Sequence, residues 1–198
     1  MPTEPHSFGG EWTERKLELL DKYLAAYLQI FNRNPRASYF KTIYVDAFAG
    51  TGSIKPKLDP EWEAIYTIED EYSGPLLDGS ATIALRREPP FDRYVFIEKN
   101  PVFANELRTL ADRMQPRRSV TIIPGDANQA LIETTQSTDW KVNRAVAFLD
   151  PYGMQVEWRT IEAIAGTGAI DLWLLFPLST VNRLLTTKAP PPPEWGLH

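Results

Sequence analysis

Three groups of residues in this chain have the types and the spacing to act on one ligand. The first is Asp46-Ala47-Phe48-Ala49-Gly50-Thr51-Gly52, where an apolar, β-rich run empties at once into a glycine pair. Glycine lets a ligand approach the backbone closely at a strand's carboxyl end, and an acid ending the next strand accepts hydrogen bonds from ribose hydroxyls. Glu98, closing Tyr94-Val95-Phe96-Ile97, is that acid. It stands 52 residues beyond Asp46, whereas such sites usually space the two by roughly 20. Residues 53–78 explain the excess. Removing these 26 residues brings Asp46 and Glu98 to 26 apart.

The loop has neither the GxxxxGK[ST] pattern of a nucleoside triphosphatase nor the third glycine of a pyrophosphate cradle. It fits an adenosyl cofactor without a pyrophosphate, of which S-adenosylmethionine (SAM) is the leading choice. A nicotinamide dinucleotide is disfavoured by the same missing glycine. The second group is Gly125-Asp126-Ala127-Asn128. Asp126 can accept from an adenine amine, and it is equally a helix N-cap; both readings stand. The third is Asp150-Pro151-Tyr152-Gly153. A carboxylate beside the rigid carbonyls of a proline can hold the protons of an amine while its lone pair faces a methyl donor. Tyr152 can stack on a planar substrate. Pro-Tyr-Gly also suits a plain β-turn, so the turn reading stays open. Lys16, for a cofactor carboxylate, and Ser80, opening a helix toward an anion, complete the candidate set.

These residues need a frame. Apolar Leu17, Leu20, Leu24, Tyr27, Leu28 and Phe31 recur at three- and four-residue intervals and predict a helix over Trp12–Phe31, with Thr13 at its N-cap. Thr42–Phe48 is a strand buried on both faces. Residues 53–78 read as an inserted excursion: Asp59, Glu61, Glu63, Glu69, Asp70 and Glu71 occur within 59–71 without a base. Ser80 caps a helix to about Arg87. Strands at Tyr94–Ile97, Val120–Ile123, Ala145–Leu149 and Ile170–Phe176 then alternate with helices at Pro101–Arg113, Ala127–Thr134 and Trp158–Ala165. Such alternation predicts βαβ units, hence a single Rossmann-like α/β domain with a mostly parallel sheet over 1–198. A proline-rich tail at 187–198 follows only five strands, which suggests that the fold continues beyond the chain's end.

Composition narrows the function classes. The chain has 198 residues, a net charge of −5 and no cysteine. Disulfides and thiolate metal sites are excluded, and a reducing, cytoplasmic setting is expected. No signal peptide or membrane-length apolar run is present in the sequence. Acidity argues against a nonspecific nucleic-acid binder. Arg86-Arg87 and Arg113/Arg117/Arg118 read as solvated helix ends. His6 and His198 are terminal and suggest no metal site, and Trp12, Trp158 and Trp173 read as core aromatics.

With these residues in view, the sequence resembles the three-Cys-motif partner proteins (the TcmP family), relatives of SAM-dependent methyltransferases. The resemblance runs through Trp12–Leu17, Tyr44–Gly52, Asp78–Ala81, Phe96–Lys99, Gly125–Asn128, Phe148–Trp158 and Asp171–Pro177. The block Phe148–Trp158 is its most specific part. It implies a methyltransferase fold, a SAM pocket formed by Asp46, Phe48, Ala49, Gly50, Gly52, Glu98, Asp126, Ala127, Lys16 and Ser80, and a partner carrying a three-cysteine motif. Similarity to amino-methyltransferases with Asp-Pro-Pro-Tyr implies N-methylation of a nucleobase or other planar amine, with a nucleic acid as one possible substrate, through Asp150, Pro151 and Tyr152. This chain has a single proline in that motif. A non-catalytic SAM-binding or docking subunit is the alternative.

Overall fold

The computed structural model describes residues 11–54, 77–114, 118–178 and 181. The interior of the acidic excursion, Arg117, the proline-rich tail, both histidines and the Trp12 side chain lie outside the described residues.

Five parallel strands form the centre: β1 (Lys41–Asp46), β4 (Arg93–Glu98), β5 (Ser119–Pro124), β6 (Asn143–Leu149) and β7 (Ile170–Leu174), in the order β5-β4-β1-β6-β7. Helices connect them: α1 (Glu11–Arg33), α2 (Ser80–Leu85), α3 (Pro101–Met114), α4 (Ala127–Ser137) and α5 (Trp158–Gly166). The sheet is therefore Rossmann-like, as the alternation of elements predicts. None of the described helices is long and apolar enough to cross a membrane.

Side-chain alternation divides the core into two layers. On one face Tyr44, Tyr94, Phe96, Val146 and Phe148 pack against Leu20, Leu24, Leu28, Leu85 and Leu107 of α1, α2 and α3. On the other, Ile43, Val45, Val95, Ile97, Ala145, Ala147 and Leu149 meet Ala130, Leu131 and Ile164 of α4 and α5. Both faces of each central strand are covered, which is why these strands read as unbroken apolar runs. The chain builds outward from β1 to β4 and β5, then returns to β6 and β7 on the other side. The switch point lies between the carboxyl ends of β1 and β6, where ligands bind in open α/β sheets.

The two ends of residues 53–78 lie side by side. Ser53–Ile54 (β2) and Leu77–Asp78 (β3) pair antiparallel, with Ser53 opposite Asp78. Two local expectations are corrected. Thr13 does not cap α1: the helix already runs from Glu11, and Thr13 sits inside its first turn. Ser80 does not cap α2 either. Gly79 is the cap residue, held by its N–H on the Gly52 carbonyl at 2.9 Å, and the helix ends at Leu85 rather than near Arg87. Arg86 pairs with Asp78 and Arg87 with Asp21 at 2.7 Å, so this basic pair is neutralised within the fold.

Candidate functional site

The register of the sheet brings the candidate groups to one edge. Asp46 lies beside Phe96 and Phe148, Glu98 beside Pro124, and Leu149 ends β6 just before Asp150. The glycine loop leaves β1 still bonded to both neighbours: Ala47 N–H donates to the Phe148 carbonyl and Ala49 N–H to that of Ile97, each at 3.1 Å. Gly50 and Gly52 then take positive φ, +58° and +79°, a region L side chains rarely adopt. Their roles differ. A β-carbon on Gly50 would meet nothing within 4 Å, whereas one on Gly52 would come within 2.5 Å of the Leu110 Cδ2 of α3. Gly50 thus keeps backbone open to the cleft, and Gly52 lets the loop close onto α3.

Asp46 occupies a different place from the one its motif suggests. It is 0% exposed and lines no part of the cleft. Its carboxylate accepts from Tyr44 Oη and from Phe48 N–H, both at 3.3 Å, and from the Ser80 hydroxyl. Burial raises its pKa to about 6 against these hydrogen bonds, with the neighbouring Asp150 charge adding to the rise. The same burial, with the Asp46 charge beside it, pushes the Tyr44 hydroxyl far up. Asp46 therefore supports the loop from below. Ser80, whose hydroxyl joins this cluster instead of capping α2, lines the cleft above it.

Above the sheet edge lies a cleft with two lobes that share Phe48, Gly50, Phe103 and Tyr152. The smaller lobe, about 440 Å³, is lined by Glu98, Asp126, Ala127 and Asn128 among others. Glu98 links its parts: Oε2 accepts from Gly50 N–H at 2.9 Å and Oε1 from Asn100 N–H at 2.7 Å. Each oxygen retains a lone pair that a hydroxyl could use. Asp126 caps α4, its Oδ1 accepting from Asn128 and Gln129 N–H at 3.0 and 3.2 Å. It also faces the lobe, so the cap reading holds without excluding a ligand role.

The larger lobe, about 770 Å³, brings Lys16, Ala49, Gly50, Gly52, Ser80, Asp150, Pro151 and Tyr152 together. Here two candidates meet each other. The Lys16 ammonium of α1 is ion-paired with Asp150 Oδ2, their side chains being 12% and 36% exposed. Asp150 is held from across the cleft, a contact of sequence separation 134 that no local pattern reveals. Tyr152 stands at the rim, 88% exposed, ahead of Gly153 at φ +68°. The segment is a tight bend that places its aromatic ring at the mouth of the cleft.

One residue that motif reasoning passes over holds this bend. Asn128 is 6% exposed. Its Nδ2 donates to the Gln155 carbonyl at 2.9 Å, and its Oδ1 accepts from Glu157 N–H at 2.9 Å and Thr160 Oγ1 at 2.8 Å. An amide uses both ends in this way, pinning the β6–α5 loop to α4. The only signal in the sequence is a polar residue on the inward stripe of α4. Trp158 corrects another expectation: it is 73% exposed, not core. Thr160 and Ile164 are the buried residues of α5, and a helical turn of about 100° per residue sets Trp158 on the opposite side. Its indole donates to Glu162 at 3.0 Å. Trp173, in contrast, packs against the core and against Tyr23.

Fold and site together define a Rossmann-like α/β protein with a two-lobed cleft at its topological switch point. No protein-family model matches the chain, and no curated protein matches it. A solved structure to which it is similar is a conserved hypothetical protein of Streptococcus pyogenes, 19% identical, with a TM-score of 0.40 over 72% of this chain and 68% of that one. A likeness at this level carries no argument about function.

Proposed function

We propose that this chain is a SAM-dependent methyltransferase-like protein of the three-Cys-motif partner type, transferring a methyl group to a nucleobase or other planar amine together with its partner protein. The observation that carries the reading is the bond between Glu98 and Gly50 N–H. It joins the ribose-reading acid to the glycine loop at the centre of a cleft whose size suits a small-molecule cofactor. Glu98 would accept from ribose hydroxyls, Asp126 from an adenine amine, and Gly50 would leave room for a sulfonium centre. SAM supplies an electrophilic methyl group when bound. Lys16 engages Asp150 Oδ2, so an acceptor amine would use Oδ1, with Tyr152 stacked on its plane. Asp150 Oδ1 would hold the acceptor amine's protons, and the surplus proton left after methylation would pass to solvent at the mouth of the cleft. Holding the two centres within attack distance contributes several kcal/mol to the rate.

Melting the protein with SAM, its demethylated product, NAD and ATP tests this reading. At a hundredfold excess over the dissociation constant, binding stabilises by about 2.7 kcal/mol, some 5–11 °C for a chain of this size. A rise with SAM or its product and none with NAD is expected; a rise with NAD alone overturns the cofactor assignment. One observation favours the second reading, a non-catalytic SAM-binding subunit: the Lys16 ammonium already neutralises Asp150. Absence of methyl transfer to any acceptor with the partner present would select it.

A further inference from the structure

Eleven large apolar side chains are exposed among the described residues, and seven of them follow the carboxyl ends of strands at the cleft's edge of the sheet. Val102 and Phe103 open α3 after β4, and Tyr152, Met154 and Trp158 lie in and just after the β6–α5 loop. Phe176 and Leu178 follow β7. Of the seven, Phe103 and Tyr152 line both lobes of the cleft, and exposed apolar side chains gathered along one sheet edge mark a surface that meets a partner. Tyr, Trp, Phe and Met are also the residues enriched where protein surfaces meet. Within this apolar rim the cleft is acidic. Glu98, Glu106, Asp126, Asp150 and Glu157 line it against Lys16 and Lys99; Lys16 is paired with Asp150 and Arg159 with Glu157, which leaves Glu98, Glu106 and Asp126 against Lys99.

We propose that this edge docks a polypeptide segment that seats apolar side chains on the rim and directs a basic side chain into the cleft. Charge selects the occupant. A polynucleotide binds largely through neutralisation of its phosphates, and among the described residues no arginine lines either lobe. A second copy of this chain, at net charge −5, brings the same sign. The inference concerns what this edge docks; it stands apart from the methyltransferase reading and from the planar acceptor amine of that reading.

The full chain, saturated with the demethylated cofactor, is passed over three immobilised peptide libraries and a randomised single-stranded oligonucleotide at about 0.15 M salt. The libraries carry a central lysine with random apolar flanks, a central glutamate with the same flanks, or a central lysine with Ser/Gly flanks. Retention on the first is expected to exceed the others by about tenfold or more, the scale of one anchoring side chain. The preference should vanish in the rim variant Met154→Ser/Trp158→Ser, whose cofactor-induced melting shift stays at the parental value. Equal retention on the glutamate library, stronger retention on the oligonucleotide, or self-association abolished by the rim variant overturns the proposal. Cofactor binding without any peptide preference also refutes docking while leaving the methyltransferase reading intact. Peptide preference without cofactor binding supports docking and counts against that reading.

Discussion

Asp46→Asn isolates the cost of holding a carboxylate under the cleft. Asp46 is fully buried, and its pKa rises from 3.8 to about 6. Roughly two pK units at 1.36 kcal/mol each give about 3 kcal/mol. The sign follows from which state holds the proton. Between these two values the folded protein keeps a proton on Asp46 that the unfolded chain releases. Stability from this group is therefore complete below pH 3.8 and lost as pH rises through about 6. Asparagine keeps an acceptor for Tyr44 Oη and the Phe48 N–H but does not titrate. About 1.4 kcal/mol of the difference falls between pH 5 and 7.5, the rest having been lost already between pH 3.8 and 5. For a chain of this length that is some 3–6 °C in melting temperature. Thermal melts of parent and variant at both pH values measure it. The parent should lose that much more than the variant on going from pH 5 to 7.5. Parallel pH dependences would refute the argument, for then Asp46 is either reached by water or neutralised by a partner in the folded state.

Other variants probe the rest of the site. Glu98→Ala removes the acceptor of Gly50 and Asn100 N–H; under the proposed function calorimetry should show adenosyl binding weakened by about 1.5–3 kcal/mol, and unchanged affinity would leave Glu98 a purely structural tie. Asn128→Ala strips three hydrogen bonds from a buried side chain and should cost about 2–3 kcal/mol in chemical denaturation, with faster amide exchange over residues 155–160; an unprotected loop in the parent would contradict this. Asp150→Asn should leave SAM affinity within a few-fold of the parent and cut methyl transfer by about a hundredfold. Transfer at the parental rate would make the segment a turn only.

The sequence by itself determined the layered architecture. Continuous apolar strands at residues 42–48, 94–97 and 145–149, alternating with amphipathic helices, leave few ways to cover both faces of each strand. It also marked an acidic run at 59–71, outside the described residues, in the stretch between Ser53 and Asp78, which pair. Residues adjacent in sequence to a strand's end, such as Gly50, Glu98, Asp126 and Asp150, were legible because sheet order carries every such end to one edge. What tertiary structure alone decided are relations between distant segments. Lys16 and Asp150 each suggested a ligand, yet they meet across 134 positions because α1 lines the larger lobe beside the end of β6. Asp46 looked like a ligand contact, but alternation along β1 turns it inward to Tyr44 and Ser80. Asn128 stood in the Gly125–Asn128 group without a role assigned to it and gains one from Gln155 and Glu157 passing within reach. Trp158 is apolar by composition and exposed by geometry, because Thr160 and Ile164 claim the inward face of its helix. Local pattern reports which face or edge a residue occupies; only packing brings another segment against it, and that opposing segment sets its charge, its exposure and its partner.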